Sequence, residues 1–308
     1  MNTTLSEFKS ARPERTKGVV KLIYRTALRS LSRGLPNAIL FRGSVLLRKF
    51  GLRLKRVGAP TLLQKAADFL FYNTCHMRPA IVEGRIRGDR FFIQLNDPCQ
   101  YDLLLGIHEA EVEQWITSEL KDGMIFFDIG ANIGYYTLLG SRCVGSSGRV
   151  VALEPNPIVA AILRRNTHIN SMKNVEIIQG AASRACGNVK LGRVGFSSYA
   201  SGLYCENPVD WIEVRGYSLD ALASELQIPA VDLVKLDVEG AEVETIEGMT
   251  KILDVDRPKV LMELHSHFGT VDLHPAVQKL KNAGYTIRSI SENHVIADPT
   301  TIYTSAHN

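Results

Sequence analysis

The chain has 308 residues, 45% hydrophobic and 22% charged, an ordinary globular balance with enough apolar mass for a full core. Its net charge of +4 hides an asymmetry: residues 1–58 hold 14 Lys+Arg against 2 Glu, and residues 59–308 hold 22 Lys+Arg against 30 Asp+Glu. Five cysteines without a Cys-x-x-Cys pair argue against a disulfide framework or structural zinc and for a reduced, cytoplasmic setting. The polar start is no secretory signal, and no run of 18 apolar residues is present to span a membrane.

Residues 1–60 are expected to form a basic helical extension and residues 61–308 the main domain. Over 17–33, Val20, Ile23, Tyr24, Ala27, Leu28 and Leu31 recur at helical spacing, with Lys17, Lys21, Arg25, Arg29 and Arg33 on another face. Gly34 and Pro36 end this helix, and 38–57 is again apolar and basic. Such a segment either docks on the body or, through residues 17–57, contacts an anionic membrane surface. Nucleic acid is not expected, because aromatics are not interleaved with the basic residues.

Residues 80–96 read as a hairpin turning at Arg87–Arg90, and 109–120 as a helix. Strands are then expected at 124–128, 149–153, 174–179, 232–237, 259–264, 285–290 and 293–297. Helices are expected at 132–142, 157–170, 240–252 and 272–284, with an inserted hairpin across 188–217. Strands alternating with helices predict an α/β domain with a mostly parallel sheet covered on both faces.

The stretch "FFDIGANIGYYTLL" (126–139) runs from a buried strand through Asp128, a turn bearing Gly130 and Gly134, and into a helix. This is the pattern that aims N–H groups at a ligand across a strand end. The next strand, "RVVAL", ends in Glu154, placed to meet ribose hydroxyls. A nicotinamide cofactor would fit that acid equally, but Asp128 would repel a pyrophosphate. A carboxylate there suits a cationic ligand end, such as the sulfonium and ammonium of S-adenosylmethionine.

"FFDIGANIGYYTLL", "VVALEPNP" and "VDLVKLDVEGAEVETIEGM" together resemble the FkbM family of S-adenosylmethionine-dependent methyltransferases over roughly residues 100–298. The resemblance implies the class I (Rossmann-like) methyltransferase fold, seven-stranded with an antiparallel last strand. It also implies methylation of hydroxyls on a carbohydrate or natural-product acceptor, with a sugar, glycan or glycolipid precursor favoured. Carried over, Asp128, Gly130, Asn132 and Gly134 line the methionine end, Glu154 the ribose, and Gly180 and Ala181 lie near the adenine, with Ala131 and Asn156 also among the cofactor-binding residues. Glu109, in "GIHEAE", would touch the cofactor.

Catalytic groups should sit beyond the strand ends. Asp237 and Glu239 follow "DLVKLD", and Glu263, His265 and His267 lie at or past the next strand. Lys235 falls on the same side as Asp237 and needs a partner if buried. The base is left open between His265 and a carboxylate. Two carboxylates plus substrate oxygens would serve Mg2+, although no three-ligand set is evident. A nicotinamide oxidoreductase and a non-enzymatic scaffold are the rival readings.

Overall fold

The structure, a computed structural model, describes residues 53, 81–94, 100, 103, 108–193, 201–202, 208, 210–265 and 270–300. The chain divides into two compact units, residues 1–82 with 94–103 and residues 83–93 with 104–308. In the first, Arg53, Gln100 and Leu103 are helical. The helix expected over 17–33, the stretch 38–57 apart from Arg53, and His267 lie outside the described residues.

The expected hairpin is present as β1 (Ile81–Ile86) and β2 (Asp89–Gln94). Its turn is tighter than expected: Arg87 and Gly88 alone form it, with φ of 50° and 93°, the left-handed geometry that two-residue hairpin turns need.

In the second unit the seven-stranded sheet runs β12-β13-β11-β10-β3-β4-β5. Its strands are β3 (Ile125–Ile129), β4 (Arg149–Glu154), β5 (Val175–Gln179), β10 (Leu233–Leu236), β11 (Lys259–Glu263), β12 (Tyr285–Ser289) and β13 (His294–Pro299). β5, β4, β3, β10 and β11 are mutually parallel, and β13 runs antiparallel between β11 and β12. This is the seven-stranded, mostly parallel class I methyltransferase sheet with an antiparallel last strand.

Alternation along the strands assigns the helices to two faces. Phe126, Val150, Leu233, Leu261 and Ile296 pack with α1 (Ala110–Glu119) and α2 (Tyr135–Val144) through Ile116, Leu120, Tyr136 and Val144. Ala152, on that same face, meets Leu163 of α3 (Pro157–Ile169). Phe127, Val151, Val234, Val260 and Val295 pack on the other face, against α4 (Leu219–Glu225), α5 (Glu242–Glu247) and α6 (Pro275–Asn282).

Several elements differ from expectation. α2 begins at Tyr135 rather than 132, because Asn132 and Gly134 hold φ of 49° and 95°. The helix expected over 240–252 is α5 followed by a π-helical turn at Ile252–Asp256. The insert is more than a hairpin: β7 (Gly187–Arg193) and β9 (Asp210–Tyr217) pair antiparallel, within a four-stranded sheet that adds β6 (Ala181–Ala182) and β8 (Ser201–Gly202).

Gly130 is fixed by the fold itself. Its φ is 78°, and a Cβ there would lie 1.7 Å from the Asp237 carbonyl oxygen. Gly130→Ala should therefore destabilise by roughly 2–5 kcal/mol, combining left-handed strain with backbone displacement. Gly88→Ala, also at positive φ but with nothing within 4 Å, should cost only about 1–2 kcal/mol. Chemical denaturation of the two variants checks the difference; equal losses would count against the Gly130–Asp237 contact.

Candidate active site

Because alternation is strict, the site can be followed from the core outward. On the α1/α2 face, Phe126 leads to Asp128, Leu233 to Lys235 and Asp237, and Leu261 to Glu263. β13 runs the other way, so its first residue, His294, arrives at the same edge, opposite Glu263. Lys235 is likewise paired in register with Asp128. One edge of one face thus gathers the carboxyl ends of three parallel strands and the start of an antiparallel one.

Lys235 is 4% exposed. Its Nζ donates to Asp237 Oδ2 at 3.2 Å, lies 3.8 Å from Asp128 Oδ1 and approaches the Gly130 carbonyl at 3.5 Å. Burial opposes its charge, but Asp237 and Asp128 outweigh burial and raise its pKa above the ordinary lysine value. Burial also pushes Asp237 up, yet Lys235 and His265 leave it below the ordinary aspartate range.

Asp128 departs from expectation. It is fully buried, with Oδ2 accepting from Thr137 Oγ1 at 2.5 Å and Oδ1 without a hydrogen-bond partner. Desolvation raises its pKa. The carboxylate expected to face a cationic ligand end is sealed beneath the turn and reaches the site as the counter-charge of Lys235.

Past β10 and β11, His265 sits among carboxylates. Its Nδ1 meets Glu242 Oε1 at 3.0 Å, while Nε2 lies 3.6 Å from Asp237 Oδ1, 3.6 Å from Glu239 Oε2 and 3.7 Å from Glu263 Oε1. Burial lowers the His265 pKa, but the Glu242 hydrogen bond and the surrounding carboxylates raise it to about 9. Burial, reinforced by Asp237, raises Glu263 to about 8. Glu109 accepts from Tyr136 Oη at 2.7 Å and lies 3.8 Å from His294 Nε2. Glu109 and Glu239 both hold positive φ, 38° and 51°, a conformation that costs free energy and tends to occur at functional sites.

At the β4 end, Glu154 is 6% exposed and oriented by two backbone donors: Asn132 N–H to Oε2 at 2.9 Å and Asn156 N–H to Oε1 at 2.8 Å. Each oxygen keeps a lone pair for a further donor. The turn itself offers no anion nest. Gly130 and Ala131 N–H bond to the Leu153 carbonyl, Asn132 to Glu154, Ile133 to the Asn132 side chain and Gly134 to the Ala131 carbonyl. The N–H groups of residues 130–134 are thus bonded within the chain.

Asn132 is the exposed residue of the turn, and Ala131 and Gly134 are buried. Gly180 donates its N–H to the Glu154 carbonyl, and a Cβ there would strike Tyr217. Ala181 pairs with Gly216. Asn156 also caps α3, accepting from Ile158 N–H. The sequence singled out neither Glu242 nor His294. The spacing Glu239-x-x-Glu242 and an antiparallel last strand opposite Glu263 were the available signals.

Desolvation raises Glu154 from 4.5 to about 7, against its two backbone bonds. A raised acid binds its proton more tightly when folded. Its contribution to stability is thus fully present below about pH 4.5 and is lost as pH rises through 7, by roughly 3 kcal/mol. Glu154→Gln should flatten the fall in melting temperature between pH 5 and pH 8, whatever its overall stability; an unchanged slope would remove this assignment.

Residues 128–287, just over half of the chain, match the methyltransferase FkbM domain. The chain is 25% identical over 229 residues to the hexuronic acid methyltransferase AglP of Haloferax volcanii, covering 72% of this chain and 90% of that protein. It is 27% identical over 202 residues to the 31-O-demethyl-FK506 methyltransferase FkbM of Streptomyces tacrolimicus, covering 55% and 75%. Among solved structures, precorrin-6y C5,15-methyltransferase from Geobacter metallireducens is similar at TM-score 0.39 and 20% identity, over 62% of this chain and 88% of that one. On a family match spanning more than half its length, the chain belongs to the FkbM family of S-adenosylmethionine-dependent methyltransferases.

Proposed function

We propose that the protein methylates a hydroxyl of a sugar, glycan or glycolipid precursor. The observation that carries this reading is the convergence of Asp237, Glu239 and His265 beyond the ends of β10 and β11. A hydroxyl is a poor nucleophile near neutral pH, and this cluster offers carboxylate oxygens, Asp237 foremost, to receive its proton. The sugar class is supported by the hexuronic acid methyltransferase, 90% of whose length the chain matches.

S-adenosylmethionine, when bound, supplies an electrophilic methyl group on a sulfonium. Glu154 would accept from the ribose hydroxyls, with Asn132 and Asn156 holding its carboxylate. Gly180 and Ala181 would flank the adenine, and the turn from Gly130 through Ala131 to Gly134 would shape the methionine end, with Glu109 beside it. Lys235, sealed under Asp237, positions that carboxylate. The basic residues 17–57 would hold the enzyme at an anionic membrane surface on the cytoplasmic side, where a lipid-linked precursor is presented. Among the described residues no helix is long and apolar enough to cross a membrane.

Labelled S-adenosylmethionine incubated with fractionated cell glycans should give methyl label on a sugar oxygen by mass spectrometry; label confined to soluble natural products would redirect the acceptor. Glu154→Gln should weaken S-adenosylmethionine binding by about 1.5–3 kcal/mol, read by calorimetry. Asp237→Asn should instead lower turnover more than cofactor affinity. An equal loss in both would move Asp237 to the cofactor side.

A further inference from the structure

We propose that Asp237, Glu239 and His265 form a binding site for one divalent transition-metal ion, with Glu242 orienting the histidine. One ligand atom from each of the three residues lies within 4.8 Å of the others. The distances around His265 separate its two nitrogens by role. Nδ1 is at hydrogen-bond length, 3.0 Å, from Glu242 Oε1. Nε2 is 3.6 Å from Asp237 Oδ1 and 3.6 Å from Glu239 Oε2, too long for hydrogen bonds. Donors bound at about 2.0–2.2 Å to one ion stand about 3–3.6 Å apart. The Nε2–carboxylate separations therefore match ligands around a common ion better than partners of each other.

Glu242 supplies the second, independent observation. It is not one of the three ligands, is 1% exposed, and its Oε1 also accepts from Gly240 N–H at 3.1 Å. Fixed in this way, it takes the Nδ1–H of His265 and leaves Nε2 facing Asp237 and Glu239, where a bound ion would displace its proton. A buried carboxylate holding the far nitrogen of a histidine is the usual support of a metal-bound imidazole. Glu263, 3.7 Å from Nε2, adds a fourth oxygen at the same reach.

The neighbouring group of Glu109, Glu263 and His294 is a weaker candidate, because Glu109 Oε2 is already taken by the Tyr136 hydroxyl. Charge agrees with the choice. Four carboxylates surround His265, and Lys235 bonds only to Asp237 among them.

The donor set also selects the ion. Mg2+ prefers an all-oxygen octahedron that keeps several waters, whereas one imidazole with carboxylates suits Mn2+, Fe2+ or Zn2+. The Mg2+ allowed by the sequence is thus replaced by a softer ion. Such an ion would meet the acceptor oxygen directly and lower the pKa of its hydroxyl. The proposal concerns the acceptor end of the proposed site, but its readout requires neither cofactor nor acceptor.

The experiment is titration of the metal-free, full-length chain with Mn2+ alone, followed by the electron paramagnetic resonance signal of free Mn2+, with parallel calorimetry of Zn2+ and Mg2+. Saturable one-site Mn2+ binding is expected, with Mg2+ at least tenfold weaker. Glu242→Gln should weaken Mn2+ binding by about 10–100-fold, and His265→Ala should abolish it. Glu239→Gln, at an exposed position that cannot disturb the core, should also weaken it and guards against a folding failure in the other two.

Absent saturation, or binding unaffected by both His265→Ala and Glu239→Gln, would overturn the site. Mg2+ binding as tight as Mn2+ would overturn the transition-ion assignment. S-adenosylmethionine binding is measured on the same samples. Its loss with Mn2+ binding intact would sink the cofactor assignment and leave the metal site standing.

Discussion

The buried ammonium of Lys235 is the group on which the rest of the site depends. An ion at 4% exposure carries a desolvation penalty of several kcal/mol and persists only with opposite charge and hydrogen bonds around it. Asp237 supplies the bond and Asp128 the second charge. These two carboxylates end adjacent parallel strands, one leading into the glycine turn and the other into the loop before α5. The ammonium therefore ties the two halves of the site together. Removing one partner would strand a buried charge, a loss of about 3–5 kcal/mol. Gly130 closes the same junction from the other side, since only a residue without Cβ lets its backbone reach the Asp237 carbonyl.

From that junction the charge grows in one direction. Toward β4 the chain presents one oriented carboxylate, Glu154, and a turn whose N–H groups are already satisfied. Toward β11 it presents Asp237, Glu239, Glu242 and Glu263 around one imidazole. Against burial, these carboxylates raise the pKa of His265, while burial first and Asp237 second raise that of Glu263. Strand alternation explains why Asp128, Lys235 and Glu263 share a face: each is two residues from an apolar side chain buried under α1 and α2 (Phe126, Leu233 and Leu261).

Much of this was legible in the sequence. The alternation of strands and helices gave the sheet, and the acid at each strand end gave Asp128, Glu154 and Asp237. Helix limits were less legible. Positive φ at Asn132 and Gly134 delays α2, and α4 offers only Leu219, Leu222 and Ala223 as buried positions, too short a pattern to stand out. At the site, Glu242 and His294 were hidden because their partners come from tertiary structure. Glu242 meets His265 only once β11 brings that histidine beside α5, and His294 joins only because the last strand is reversed. Asp128 shows the opposite limit: its position at the strand end was read correctly, but its exposure was not, because nothing local reveals that Thr137 and Lys235 close over it.

The glycine turn shows how one local pattern serves two chemistries. In a dinucleotide site the strand–turn–helix unit keeps its N–H groups for phosphate oxygens. Here Leu153, Glu154 and the turn's own Asn132 and Ala131 accept those hydrogens. One of these donors, Asn132 N–H, holds Glu154 in place, and an anion approaching the turn would meet that carboxylate. What stands at the strand end is a fixed acceptor, Glu154, beside a turn bonded back onto the chain. The hydrogen-bond pairing of the turn therefore serves to fix Glu154, and Asp128, buried beneath it, contributes by anchoring Lys235 and with it the loop that carries Asp237.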